Sequence, residues 1–216
     1  MHLRVAATHL PERLTVRDAF LFPVATKEAR RDLLIGGLLL ATLPIGWILN
    51  LGNRLNVVSR LSAGDRPFFR GFRPWGYTFR RGCISFATIA SYLAPAVVLA
   101  IASAWLFRIG SPARFVCSAL AVGAFCLAVF TLPGCMTVYA VEGDASVLRR
   151  PAAAFARAWK HRRTYLFAWW IALLSVVLSF FGLLAAGIGF VFTSVWAWEV
   201  VGYAFTIALY SGERPR

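Results

Sequence analysis

Apolar positions in this chain fall into long blocks, not into the alternation of strands or the one-sided stripes of soluble helices. Residues 165–186 are 22 consecutive positions without a charge, and 188–210 are 23 with a single one, Glu199. A helix needs about 20 mostly apolar residues to cross a hydrocarbon core of roughly 30 Å. In lipid each backbone N–H and C=O must bond within its own segment, which makes these blocks helices. Gly187-Ile188-Gly189 between them supplies the backbone freedom of a tight reversal. The stretch 165–210 is therefore a predicted C-terminal transmembrane hairpin.

Two more blocks, 83–107 and 115–141, predict a central transmembrane pair over 83–141, joined by the short turn 108–114. Pro95 is expected to kink the first, and Pro133-Gly134 to break the second. Ala119 and Gly123 form a small-x-x-x-small ridge suited to close helix packing, and Ser175 and Ser179 do the same in the last hairpin. The block 33–51 is also uncharged, but Pro44-Ile45-Gly46 interrupts it. Its arms, 33–43 and 47–61, are each short for a span, and the second carries Asn50, Asn53, Arg54, Asn56 and Arg60. The predicted fold class is an all-α integral membrane protein. It has four full transmembrane helices plus an N-terminal kinked helical hairpin, re-entrant or thin, over 33–61.

Basic segments separate the blocks. Residues 1–32 form a cytoplasmic basic leader without the continuous apolar core of a secretory signal. Within it, Asp18-Ala19-Phe20-Leu21-Phe22-Pro23 suits the membrane interface. In 62–82, Arg66, Arg70, Arg73, Arg80 and Arg81 interleave with six aromatic residues, broken by glycines and prolines. Such a segment can stack on single-stranded nucleic acid. Beside a span it instead seats rings at headgroup depth with arginines on phosphates. The linker 142–164 contains the clearest helical pattern, over 146–163. At about 100° per residue, Leu148, Pro151, Ala152, Phe155, Ala158 and Trp159 share one side. Arg149, Arg150, Arg157, Lys160, His161 and Arg163 share the other, with Arg162 the exception. This predicts an amphipathic helix in the interface plane, with Pro151 in its first turn. A tail, 211–216, closes the chain.

Composition changes the picture only through charge. The chain has 216 residues, 59% apolar and 15% aromatic, yet a formal net charge of +14. Because Lys and Arg flank apolar blocks, the expected partners are membrane lipids with anionic headgroups on the cytoplasmic side, not nucleic acid. Of 23 Lys and Arg, six precede residue 33, seven lie in 54–81, two in 108–114, six in 149–163 and two after 210. The poor loop, 108–114, is expected to face outward and both termini to be cytoplasmic. The hairpin 33–61 then enters and leaves on the same side. It also echoes the last hairpin: Pro44-Ile45-Gly46 and Gly187-Ile188-Gly189 at the tips, then Gly64-Asp65-Arg66-Pro67 and Gly212-Glu213-Arg214-Pro215 beyond the second arms.

Catalytic constellations are missing from the sequence. There is no phosphate-binding glycine loop, no His-Glu-x-x-His and no serine partnered by histidine; the histidines are His2, His9 and His161. Cys83, Cys117, Cys126 and Cys135 form no C-x-x-C pair and are expected as buried small apolar residues. Glu142 and Asp144 read as a turn and a helix start. No enzyme activity, cofactor or metal is expected. Glu199 stands out. It lies about 16 Å into its helix, near mid-membrane, where a charge costs on the order of 3 kcal/mol and faces a bundle interior or cavity. Counted from the tip glycines Gly46 and Gly189, Arg54 lies eight residues on and Glu199 ten, so Glu199 is expected to be satisfied by Arg54, Asn53 or Asn56. Asn50 completes the intramembrane polar set. The headgroup candidates are Arg149, Arg150, Arg157, Lys160, Arg163, Arg70, Arg73, Arg80 and Arg81. The functional expectation is a non-catalytic inner-membrane protein, a lipid-contacting scaffold or accessory subunit of a larger membrane complex. The alternative is a small transporter or export subunit with Glu199 as its coupling residue.

The runs Leu33-Leu34-Ile35-Gly36-Gly37-Leu38-Leu39-Leu40 with Pro44-Ile45-Gly46, and Leu51-Gly52-Asn53-Arg54-Leu55, resemble the opening of domain-of-unknown-function family 4013. Arg163-Thr164-Tyr165-Leu166 and Gly187-Ile188-Gly189-Phe190-Val191-Phe192-Thr193 resemble its closing hairpin. The resemblance spans roughly 19–212. The chain departs from it at Asn53, where the family has tyrosine, and at 66–81, which is basic instead of acidic-aromatic. The resemblance implies a multi-pass protein of a bacterial or archaeal cytoplasmic membrane, with no established activity.

Overall fold

A computed structural model describes residues 10, 11, 13–184 and 187–211. The second half of the hairpin echo, at 212–215, and the ends of the leader and tail lie outside these residues. Every regular element described is helical, and there are eight α-helices: α1 Val16–Leu21, α2 Lys27–Leu40, α3 Ile45–Ala63, α4 Trp75–Arg108, α5 Ala113–Glu142, α6 Pro151–Lys160, α7 Arg162–Phe180 and α8 Ile188–Tyr210. Four described helices are long and apolar enough to cross a membrane: α4, α5, α7 with its following turn to Leu184, and α8.

The α2–α3 hairpin begins where Thr26 accepts the backbone N–H of Ala29 at 3.1 Å, capping α2. The arms are held together by Asn50, which donates to the Gly36 carbonyl at 3.0 Å. Both open ends of this hairpin meet one loop. Asp32 accepts the Gly71 N–H at 2.9 Å, and Arg60 donates to the Phe68 carbonyl at 3.3 Å. The hairpin therefore starts and finishes at the same end of the bundle. Its second arm, α3, is the most enclosed helix, with 12 of its 19 residues buried. On one side it crosses α4 at Gly52 and Gly82, where a Cβ would come within 1.9 Å of the Thr78 carbonyl and 2.0 Å of the Ile48 carbonyl. On the other side it runs beside α8. A Cβ on Gly202 of α8 would touch Val58 at 3.2 Å and Arg54 at 3.4 Å.

The two later pairs join through Tyr165. Its ring is fully buried, edge-on to Phe130 and Phe205, and its hydroxyl donates to the Phe130 carbonyl at 2.6 Å. The α7–α8 reversal uses Gly187 at φ +79°, a conformation that favours glycine. Gly182, not anticipated, lets the two helices touch: a Cβ there would lie 2.4 Å from Thr193 Oγ1. Ser175 and Ser179 are buried as expected.

Several expectations need correction. Helix α4 starts at Trp75 instead of Cys83, so the second part of 62–82 is helical. Its inward stripe, Thr78, Arg81, Gly82 and Ser85, is polar or small, so a search for apolar periodicity passes over it. Helix α5 runs unbroken through Pro133, where a break was expected, and α4 stays helical through Pro95. Ending a helix in lipid strands several backbone groups, whereas an internal proline forfeits one bond. The linker is three pieces: a 3-10 turn over Ala145–Arg149 capped by Asp144, then α6, then a bend at His161 into α7. The Asp18–Pro23 piece packs onto α8, with the Phe20 carbonyl accepting the Trp196 indole N–H at 3.1 Å and the Phe22 ring tilted against Tyr203 at 4.7 Å between centres. Gly123 has nothing within 4 Å of its Cβ position, so the Ala119–Gly123 ridge faces outward. Of the cysteines only Cys135 is fully buried, and Cys126 is exposed.

Candidate functional site

The polar residues expected within the membrane lie on α3 and α8, and they divide into two groups. In the first, Asn56 donates to Thr78 Oγ1 at 2.9 Å and accepts from Arg81 Nη1 at 3.0 Å. Arg81 Nη2 also donates to the Ala140 carbonyl at 3.2 Å, and its guanidinium lies between the Tyr77 and Tyr139 rings at 5.6 and 5.5 Å. Arg81 was expected at the headgroups; it is 6% exposed and ties α3, α4 and α5 together. A guanidinium offers donors in a fixed fork and two aromatic faces suit its charge, so two hydrogen bonds and two rings hold it in the interior.

The second group surrounds Glu199. Glu199 is 5% exposed and Arg54 is 8% exposed, and together with Asn50 and Trp198 they line a cavity of about 10 Å³. That is room for about one water. Arg54 was the expected partner, and the parallel second arms do bring it to Glu199. No ion pair within 4 Å forms between them among the described residues. Glu199 Oε2 and Asn53 Oδ1 are buried without a hydrogen-bond partner. Asn56 is engaged elsewhere, and Asn50 donates to the Gly36 and Gly46 carbonyls. The Arg54 guanidinium is stacked 5.2 Å from the Trp198 ring centre. None of the hydrogen bonds among the described residues involves it, so its donors are unclaimed by protein.

Arg54 also borders a second, larger space. A groove of about 370 Å³ runs between α5 and the α7–α8 pair, floored by Leu51 and Leu55 of α3. One face of α8, Phe190 to Phe205, forms one wall, and Val129 to Met136 of α5 forms the other. Arg54 is its single charged lining residue. The serines there are spent within the protein: Ser179 on the Val176 carbonyl, Ser194 on the Val191 carbonyl and Ser85 on Met136 sulfur. Leu173, Val176, Phe180 and Trp198 on its rim are exposed, so the groove opens sideways, toward the acyl chains if α7 and α8 span a bilayer.

Arg108 and Arg114 lie at one end, between α4 and α5, whereas most of the remaining basic residues gather at the other. Arg70, Arg73, Arg80, Arg149, Arg150, Lys160 and Arg163 are exposed there, beside the starts of α2, α4 and α7 and the ends of α3, α5 and α8. Arg157 pairs with Glu142 at 2.7 Å, and Arg70 pairs with Asp65. Phe155 and Trp159 stack at 5.9 Å and are exposed, while Leu148, Ala154 and Ala158 turn inward. Burial at this end pushes the Asp32 carboxyl above its usual range, against the Gly71 N–H and Arg60, which pull it down. Among the described residues no group of three or more metal-ligating side chains occurs. Searches against protein-family models, curated proteins and solved structures return no match to this chain.

Proposed function

We propose that this chain is a non-catalytic multi-pass protein of a bacterial or archaeal cytoplasmic membrane, acting by lipid contact as a scaffold or accessory subunit of a membrane complex. The 370 Å³ groove carries this reading: it is apolar and lies open along helices long enough to span. Such a space takes up hydrocarbon, not ions or polar solutes. The arginine-rich end supports it, since exposed Lys and Arg near an anionic leaflet each contribute about 1 kcal/mol of attraction. In this reading the leader, the 62–82 loop, α6 and both termini face the cytoplasm. The α2–α3 hairpin is re-entrant, and α6 lies in the interface with Phe155 and Trp159 toward lipid.

One observation favours a transporter coupled through Glu199: the unpartnered Oε2 at mid-membrane. Against it, the polar space around Glu199 admits about one water. Extraction into lipid-preserving polymer discs, followed by lipid and protein mass spectrometry, tests the choice. Enrichment of anionic lipid over the bulk membrane is expected. Proton-driven solute uptake by reconstituted vesicles, with no lipid enrichment, would replace the scaffold with the transporter.

A further inference from the structure

Building on the lipid-contacting reading, we propose that the lateral groove is a binding site for a single-chain amphiphile with one carboxylate, of the fatty-acid class. Its chain lies between α5 and α7–α8 and its carboxylate rests on Arg54. The groove by itself would accept any hydrocarbon; Arg54 makes it selective. This side chain is more than nine-tenths buried, lines the groove as its single charge, and takes part in none of the hydrogen bonds among described residues. A guanidinium presents five N–H donors in a fork that matches a carboxylate. Its stacking on Trp198 at 5.2 Å holds the plane in place without using those donors.

The size of the anion follows from the neighbours. No second cation lines the groove, and Glu199 lies just beyond Arg54 across the small cavity. One guanidinium balances one carboxylate, whereas a phosphate monoester would bring up to two charges toward a carboxyl. Along α8 the lined face runs from Phe190 to Phe205. That is about 22 Å of helix, with Trp198 and Arg54 near its middle. The chain therefore follows the wall toward either end and leaves through the exposed rim at Leu173 and Val176. Glu199 competes with the ligand for Arg54, so removing its charge should favour binding.

The test uses the full chain in phosphatidylcholine nanodiscs with a trace of diazirine-bearing palmitate, photolysed and mapped by mass spectrometry. Adducts should concentrate on 129–136 and 169–180, not on the exposed face of α4. Palmitate should compete about tenfold better than hexadecanol, as a charge-assisted pair requires. Arg54→Gln should erase that preference and Arg54→Lys should keep part of it. Glu199→Gln should increase labelling. Ala172→Phe, which fills the groove from α7 without touching Arg54, should block adducts even if the arginine variants fail to fold. Equal competition by acid and alcohol, undiminished labelling of a folded Arg54→Gln, or adducts spread evenly over α4 would overturn the site. So would palmitoyl lysophosphatidate outcompeting palmitate, which would give the groove to a phosphate-headed lipid. Failure of the chain to enter nanodiscs at all would overturn the membrane reading and the site with it, whereas loss of selectivity alone leaves the membrane reading standing.

Discussion

Glu199 and Arg81 show how differently two buried charges can be written in a sequence. Glu199 was legible because it is the single charge in 23 positions, and counting from the tip glycines placed Arg54 beside it. Its lack of a direct partner was not legible, since that depends on where the Arg54 guanidinium stacks. Arg81 was misread because arginines among aromatic rings look alike whether the rings belong to an interface or to the same site. Arg81→Ala would leave Asn56 Oδ1 and the Ala140 carbonyl unpaired in the interior. It should cost about 2–4 kcal/mol, while the exposed Arg80→Ala should stay within about 0.5 kcal/mol. Unfolding in mixed micelles would separate the two; equal effects would mean Arg81 is solvated. Asp32 gives a pH signature. Burial raises its carboxyl, so its charged form is disfavoured in the folded chain. Stability from this group is present at low pH and lost as pH rises through its folded value. Wild type should therefore gain on Asp32→Asn as pH falls from neutrality toward the ordinary aspartate range, read by melting temperature; a falling difference would contradict the assignment.

At the scale of elements, span identity was readable and span boundaries were not. Twenty apolar residues in a row admit one solution in lipid, so α4, α5, α7 and α8 followed directly from block length. Pro133 does not break α5, because the rule that proline ends helices is set by water, which solvates the stranded groups. The 146–163 pattern was read as one helix although His161 bends the chain into α7. The signal for the α3–α4 crossing lies in Gly52 and Gly82, which meet across it, and not in the Ala119–Gly123 ridge. Gly52→Val puts atoms where the Thr78 carbonyl lies. It should destabilise by about 3 kcal/mol or more, since overpacking against backbone leaves nothing to yield. Gly123→Val, with nothing within 4 Å of its Cβ position, should be tolerated. Detergent-resistant folding followed by circular dichroism distinguishes them. A neutral Gly52 variant would mean that α3 and α4 are not in contact.

For the whole molecule, charge segregation was legible by counting, because a bilayer sorts Lys and Arg to one side regardless of packing. The groove was not, since it arises from the distance between two hairpins, which no local pattern encodes. The α2–α3 hairpin returns to the end it came from, through Asp32, Arg60 and the loop carrying Phe68 and Gly71. Impermeant-thiol labelling of intact cells tests this geometry directly. In a chain with Cys83, Cys117, Cys126 and Cys135 replaced by alanine, single cysteines are placed at Ser111, Ala63 and Ala153. Ser111→Cys should label from outside, while Ala63→Cys and Ala153→Cys should label only after the membrane is opened. External labelling of Ala63→Cys would show that the N-terminal hairpin crosses the bilayer once, separating the basic segments that the fold holds at one end.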